Sequence, residues 1–418
     1  MTGSDQSDRV REQYEALPYP ERNPADEAKR LVIGSPSQLG EIRHYLFRGG
    51  LPERSPFRAL VAGGGTGDAF IMLAQQLADA GIAAEVTHLD LSSASQGVAR
   101  ARAEARGLDN TRFVLGEIEH VKALAPGPYD YIDCCGVLHH LADPTVGLKA
   151  LVEQLAPDGG MGLMVYGALG RTGVYHTQEA MRLLAAGEPD NQRLGLVKRL
   201  LKSLPSGNWL RRNPFVGDHV TGGDAGIFDL LLHARDRAYT VPELLGLITA
   251  ADLKVARLIQ PALYEPETYL DDPALLKRAL VLPADHRWAL AELLSGAITK
   301  HIAYAVPAGR AEDTEAKPDD LSLIPVFLDM DPAEIAKGIK PGGTLTAELG
   351  GHPYMAPLPA LAPVILRLCD GRSLAEMLAA IRAESRPDLS EDDFRTQFAQ
   401  FFTAFQGVNR MVLRSPEE

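Results

Sequence analysis

The chain has 418 residues, enough for two or three domains that each bury a core. Its 45% hydrophobic and 23% charged content is that of an ordinary globular protein. The formal net charge of −13 argues against general nucleic-acid binding, because phosphate neutralisation needs a basic face.

The chain opens with "MTGSDQSDRVREQYEALPYPERNPADEAKR", which is charged, proline-rich and without an apolar signal core. No window approaches the ~18–20 apolar residues of a membrane span. The three cysteines, Cys134, Cys135 and Cys369, match neither metal spacing nor a disulfide framework. These features predict a cytoplasmic protein with no membrane partner. Residues 1–50 read as an arm. A helix with Val10, Tyr14 and Leu17 on one face stops at "PYPERNP", where three prolines forbid continuation.

From 57 to 166, short apolar runs alternate with helical segments. The predicted strands are Arg58–Ala62, Ala84–Asp90, Thr111–Leu115, Tyr129–Cys134 and Gly160–Tyr166. The predicted helices are Ala69–Ala80, Ala94–Gly107, Pro144–Leu155 and a short turn at Leu138–Leu141. That alternation predicts an α/β fold with a parallel sheet covered on both faces. Residues 170–250 are helix-rich and read as an insertion. Thr240 and Glu243 have capping-box spacing before a helix that leads to a strand at Leu253–Ile259. A helical stretch at 272–298 precedes a last strand, His301–Val306. Pro307–Ser322 is polar and aperiodic, so residues 311–322 read as a linker. Residues 323–418 read as a separate small domain, with two helices joined at Asp370-Gly371, then a capped amphipathic helix and a closing strand.

The first strand runs into "GGGTGD", Gly63 to Asp68. No Lys-Ser or Lys-Thr follows, which excludes a triphosphate P-loop. Asp68 stands where a dinucleotide fold places its third glycine, and a carboxylate at a helix N-terminus suits a cationic ligand better than a pyrophosphate. Asp90 ends the next strand, where a carboxylate can accept from both hydroxyls of a ribose. In "GEIEH", Glu117 can accept from an adenine amino group while Ile118 flanks the ring.

Together with "VLHHLADP", these residues resemble the class I S-adenosylmethionine-dependent methyltransferases over Arg58 to Val306. The resemblance implies a Rossmann-like seven-stranded sheet in residues 51–310, with S-adenosylmethionine as cofactor. It also implies roles for individual residues. Gly63, Gly65 and Gly67 would line the methionine and ribose, Asp90 would hold the ribose, and Leu91 would pack near the adenine. Glu117 and Ile118 would contact the adenine, while Gly136 and Val137 would pass under the methionine. Gly64 is read as turn geometry alone. On the arm, Tyr14 and Tyr19 read either as a cover folded over the cofactor pocket that excludes water or as packing of the arm on the edge of the sheet.

Ligand and substrate lie beyond the carboxyl ends of the strands in such a sheet. Tyr166 ends the fifth strand, Arg171, Tyr175 and His176 follow it, and these four are the candidate catalytic residues. His176 or His233 could serve as general base, although His233 reads better as a packing or capping residue. His139, His140 and Asp143 invite a metal reading. Adjacent histidines diverge on a helix, so no metal is expected.

The tail, with "LCDGRSLAEM" at its centre, resembles the winged-helix domain of the pyrroloquinoline quinone peptide chaperone (PqqD) family. That resemblance implies peptide binding by strand addition. Dimerisation, giving a homodimer, or closure of the active site is the alternative. The expected activity is methyl transfer to an acceptor, either a peptide or protein side chain presented by the tail or a small molecule. A non-catalytic cofactor-binding scaffold is the alternative of another class.

Overall fold

A computed structural model describes residues 3–310 and 313–416. Seven strands form one sheet in the order β3-β2-β1-β4-β5-β7-β6. They are β1 (Phe57–Ala62), β2 (Ala84–Asp90), β3 (Thr111–Leu115), β4 (Tyr129–Cys135), β5 (Leu155–Tyr166), β6 (Leu253–Leu258) and β7 (Lys300–Pro307). The strand order reverses direction beside β1, so the glycine run after β1 opens at the topological switch point. Strands β1 to β5 are parallel to one another, but β7 runs antiparallel to both β5 and β6. The expected parallel sheet is therefore a mixed one. Two helices, Pro273–Leu280 and Ala284–Ser295, carry the chain from β6 to β7, which then slots between β6 and β5. The single helix expected at 272–298 is divided here because Pro283 cannot continue the first one.

Strand β5 begins five residues before the expected Gly160, and the helix before it ends at Val152 rather than Leu155. Pro157 cannot extend that helix, and the register slips between the Tyr129–Leu155 and Tyr131–Gly160 pairs. Elsewhere local rules hold. The capping box at Thr240 and Glu243 is formed, and a second one starts the helix Leu374–Glu384 at Ser373 and Glu376.

Apolar side chains fill both faces of the sheet. One face packs under Pro144–Val152 and Val241–Ala250. The other packs under helices α2 (Leu39–Leu46) and α3 (Asp68–Asp79). The helical insertion has its own cluster around Val174, Phe228 and Leu231. The C-terminal region has another, dominated by Phe394, Phe398, Phe401 and Phe405 of the helix Glu391–Gly407. This region contains a hairpin (Thr344–Leu349 with His352–Pro357) and an antiparallel pair (Ile324–Phe327 with Met411–Arg414).

The expected linker is a clamp rather than a tether. The Arg48 N–H donates to the Thr314 carbonyl at 2.8 Å, and the Ala316 N–H donates to the His44 carbonyl at 2.8 Å. Glu315 is buried between Arg257 of β6, His44 of α2 and Gln406 of the C-terminal helix, whose Nε2 donates to it at 2.6 Å. Polar composition alone cannot distinguish a solvated tether from a polar segment whose partners lie far away in sequence. Burial pushes the Glu315 carboxyl up, but the His44 hydrogen bond and the Arg257 charge outweigh it and hold it at about 2. An unfolded glutamate titrates at about 4.3. The native pKa is depressed, so this stabilisation is complete above about pH 5 and is lost as the pH falls toward 2. Glu315→Gln should cost about 2 kcal/mol at neutral pH. It should also flatten the acid limb of stability against pH, as read by denaturant titration across that window.

Candidate functional site

The loop Gly63–Gly67 is held by backbone bonds and by two β2 side chains. The Gly63 N–H donates to the Leu89 carbonyl at 2.7 Å, and the Gly65 N–H donates to Asp90 Oδ2 at 2.7 Å. The Ser92 N–H donates to Asp90 Oδ1 at 2.8 Å. Each carboxylate oxygen thus has one backbone donor and keeps a lone pair for a ligand. His88, fully buried between Phe70 and Phe113, lies with Nε2 3.0 Å from the Gly65 carbonyl, where an N–H there donates. Gly64, set aside as turn geometry, has a specific reason to be glycine: a Cβ would stand 2.4 Å from the His88 ring. Gly67 caps α3 at φ +100°, and its missing Cβ lets Ala99 of helix α4 (Ser93–Arg106) approach.

A cavity opens beside this loop. Gly63, Asp90, Leu91, Glu117, Ile118 and Val137 line it, as does Val10 of helix α1 (Gly3–Ala16). Gly65, Gly67 and Gly136 support its floor from outside the lining: Gly65 lies under the Tyr19 carbonyl, Gly67 faces Ala99, and the Gly136 N–H bonds to the Met164 carbonyl. The arm crosses directly over the loop, where Thr66 Oγ1 donates to the Pro20 carbonyl at 2.8 Å. Arg11 reaches Glu117 at 2.9 Å, so the carboxylate read as an adenine acceptor already pairs with the arm.

Asp68 does not present a bare charge to a ligand. Arg22 donates to it twice, at 2.8 and 2.6 Å, and Arg102 donates at 2.7 Å. Burial alone would raise its carboxyl, but the two guanidiniums hold it below the usual range. The reading of Asp68 as a counter-charge for a cationic ligand is corrected accordingly.

A second constellation lies beyond β4 and β5. Asp229, buried in the helix Gly223–Leu231, accepts from the Tyr14 hydroxyl at 3.3 Å and from the Tyr166 hydroxyl at 3.3 Å. The Arg171 guanidinium covers the Tyr166 ring at 3.6 Å, and its Nη2 lies 3.7 Å from Asp236. Tyr175 is close enough to Arg171 and Asp236 for their charges to act on its hydroxyl, although burial is the main cause of its raised pKa. Tyr166, Arg171 and Tyr175 therefore meet as expected. His176 does not join them; it is exposed, with its ring edge-on against Trp209, because the next position on a helix faces another side.

Sequence reasoning missed Asp229 and the part played by His140, and it read His233 as packing. An acid inside the apolar run "GIFDLLL" was the available signal. His140 and His233 stack at 3.8 Å, and His139 packs on Tyr166 at 4.1 Å. Two groups, His139–His140–Asp236 and His140–Asp229–His233, are close enough to share an ion. Backbone partners set the ring polarity. The Arg235 N–H donates to His233 Nδ1 at 3.0 Å, so the neutral ring carries its proton on Nε2, 3.2 Å from the Tyr14 hydroxyl. A metal-bound Nε2 requires the reverse arrangement, so His233 does not fit as a ligand. His140 Nδ1 faces the Arg235 carbonyl at 2.8 Å and keeps its lone pair on Nε2, on the wall of the cavity. Asp143 caps the helix Pro144–Val152 instead of joining either group. Burial, reinforced by neighbouring charge, keeps His139 and His233 neutral well below the usual histidine range.

A family model described as a methyltransferase domain matches residues 60–161. An uncharacterized Synechococcus protein is 30% identical over 296 residues, which is 68% of each chain. The tRNA 5-carboxymethoxyuridine methyltransferase of Escherichia coli is 32% identical over 37% of this chain and 55% of its own length. The ubiquinone biosynthesis O-methyltransferase of Salmonella paratyphi A is 27% identical over 36% of this chain and 60% of its own. The chain thus spans a little over half of these two enzymes. Among solved structures, PKMT2 from Rickettsia typhi in complex with AdoHcy has a TM-score of 0.63 at 14% identity. That match covers 92% of this chain and 76% of that one, a likeness of fold.

Gly64→Ala should push its methyl into the His88 ring and displace the loop. A loss of about 1–3 kcal/mol in thermal or chemical denaturation is the expected result, and an unchanged midpoint would refute the steric argument.

Proposed function

Since this chain belongs to the family of the Synechococcus protein and is a class I S-adenosylmethionine-dependent methyltransferase, we propose that it methylates a peptide or protein side chain held against the Tyr14–Tyr166–Asp229 cluster. One observation carries this reading. His140 is on the wall of the glycine-loop cavity and also stacks on His233 of that cluster, so cofactor and acceptor sites adjoin.

The cavity suits the cofactor chemically. Asp90 keeps outward lone pairs for the ribose hydroxyls, and Leu91, Ile118 and Val137 supply apolar walls for the base. Glu117 lies at its edge, and the glycine loop Gly63, Gly65 and Gly67 with Gly136 lets the methionine part approach the backbone. Under this reading Tyr14 and Tyr19 cover it from the arm, whose Tyr14 carbonyl accepts from the Ser92 hydroxyl and whose Tyr19 carbonyl lies over Gly65. When bound, the cofactor supplies an electrophilic methyl on a sulfonium. The protein's part is to align the acceptor, exclude water and manage the proton. Tyr14, Tyr166 and Asp229 are placed for the proton, and Arg171 fixes the Tyr166 ring.

The peptide reading draws support from an open groove bordered by Leu169, Thr172, Trp209, Arg212 and Phe215. It flanks the loop that carries Arg171, and Gly351 of the C-terminal hairpin lies against the Phe215 ring. A chain segment seated there would touch the insertion and the hairpin at once. The PqqD-like resemblance of the tail supports the same reading.

Calorimetry with S-adenosylmethionine tests the cofactor half. Asp90→Asn places an amide N–H against the Gly65 or Ser92 N–H and should weaken binding at least about tenfold. Tyr14→Ala and Tyr19→Ala together should also weaken it about tenfold, and unchanged affinity would remove the covering role of the arm.

A further inference from the structure

We infer that the methyl acceptor is an aliphatic amine, whose ammonium enters against Asp229 between the Tyr14 and Tyr166 hydroxyls and leaves its proton on that carboxylate. The inference rests on the methyltransferase reading above and names its substrate class.

Charge is the first argument. Asp229 is 6% exposed, and two phenols at 3.3 Å are its hydrogen-bond donors among the described residues. A buried carboxylate is normally paired with a cation. Arg171 is the nearby guanidinium that acts on it, but its closest approach, 3.7 Å, is to Asp236. One guanidinium is therefore shared between two buried acids. A second cation would complete the set.

Hydrogen-bond inventory is the second. Asp236 Oδ1, the Tyr175 hydroxyl and both His139 nitrogens are buried without a partner. Asp236 Oδ1 is purely an acceptor, and the other two groups can accept. An ammonium brings three N–H donors, whereas an alcohol or phenol brings one and a carboxylate brings none. A carboxylate would also face two acids. Arg171 Nε and Nη2 remain as donors for a carbonyl of the same acceptor, as a peptide would provide. The half-buried rings of Tyr14, Tyr19, Tyr166 and Tyr175 suit a cation sliding past them.

The step balances. The ammonium proton passes to Asp229, and the freed nitrogen lone pair forms a bond to the cofactor's methyl carbon. The C–S pair withdraws to sulfur, leaving a neutral thioether, a methylammonium and a protonated Asp229. Burial raises the Asp229 pKa, which brings it nearer to the task. The groups facing it are Tyr14 and Tyr19 of the arm, His140 after β4, Tyr166 at the end of β5, Arg171 after it, and His233 and Asp236 beyond its own helix.

The full-length protein with S-adenosylmethionine is offered a degenerate peptide library containing lysine, aspartate, glutamate, tyrosine, serine and cysteine, and mass spectrometry locates the methyl group. Methyl on an amine nitrogen is expected, with turnover at least about 100-fold slower in Asp229→Asn and cofactor affinity retained. Methyl on oxygen or sulfur, or on no amine although the cofactor binds, would overturn the inference. Failure to bind the cofactor would instead sink the methyltransferase reading. A second measurement needs no turnover: calorimetry of n-hexylamine against n-hexanol on wild-type protein loaded with the demethylated cofactor. Tighter binding of the amine is expected, and equal affinity counts against it.

Discussion

The fully buried guanidinium of Arg102 holds the nucleotide end of the molecule together. It donates to Glu27 of the arm at 2.6 Å, to Asp68 at the start of α3 at 2.7 Å and to the Thr66 carbonyl at 2.9 Å. Burying a charge is costly unless it is paired and hydrogen-bonded; these three acceptors pair it through Nε and Nη1, while Nη2 has no partner among the described residues. Because they come from three separate segments, the arm, the glycine loop and α3 cannot move independently without exposing an unpaired ion. The shape of the cavity after β1 follows from that constraint.

The same constraint divides the arm into two parts. Residues 22–27 are tied inward, by Arg22 to Asp68 and by Glu27 to Arg102 and Arg106. Helix α1 is held at its surface by Arg11 to Glu117 and by Glu15, whose carboxylate accepts the Ser93 and Ala94 N–H groups at the start of α4, and inward by the Tyr14 hydroxyl on buried Asp229. Exposed pairs of this kind are individually weak, whereas the buried set is not. The covering of the cavity therefore has a firm root near Arg102, while the outer helix over Asp90 and Glu117 combines surface pairs with an inward anchor at Tyr14.

What could be read from the sequence was local. The ends of β2 and β3, the capping box at Thr240 and the place of Asp90 follow from short-range pattern and turn chemistry, and the structure has them within a residue or two. Asp229 was hidden because its partners, Tyr14 and Tyr166, lie 215 and 63 residues away. Asp68 was misread for the same reason: a helix N-terminus says that an anion is welcome, but not that Arg22 and Arg102 already occupy it. His176 was chosen by its place after β5, yet the helix rotation that brings Tyr175 toward Arg171 turns its neighbour toward Trp209. Glu315 was lost in a polar run whose meaning depends on His44, Arg257 and Gln406. Periodicity reports which face an element buries, while convergence of distant polar groups leaves no periodic trace.

The first fifty residues also join the C-terminal region to the catalytic sheet. After passing the glycine loop, the arm enters α2, whose polar face is buried against the far end of the chain. Glu41 accepts from Tyr304 of β7 at 2.8 Å and from Asn409, Tyr45 donates to Asn409 at 2.9 Å, and His44 accepts the Leu413 N–H at 3.1 Å. A seam built from buried hydrogen bonds is directional and tolerates little sliding, unlike an apolar interface of equal area. The C-terminal hairpin is thereby fixed relative to the loop after β5, where Gly351 meets Phe215 and His352 meets the Ser295 carbonyl. One N-terminal segment thus sets the cofactor loop at one end and the register of the C-terminal region at the other.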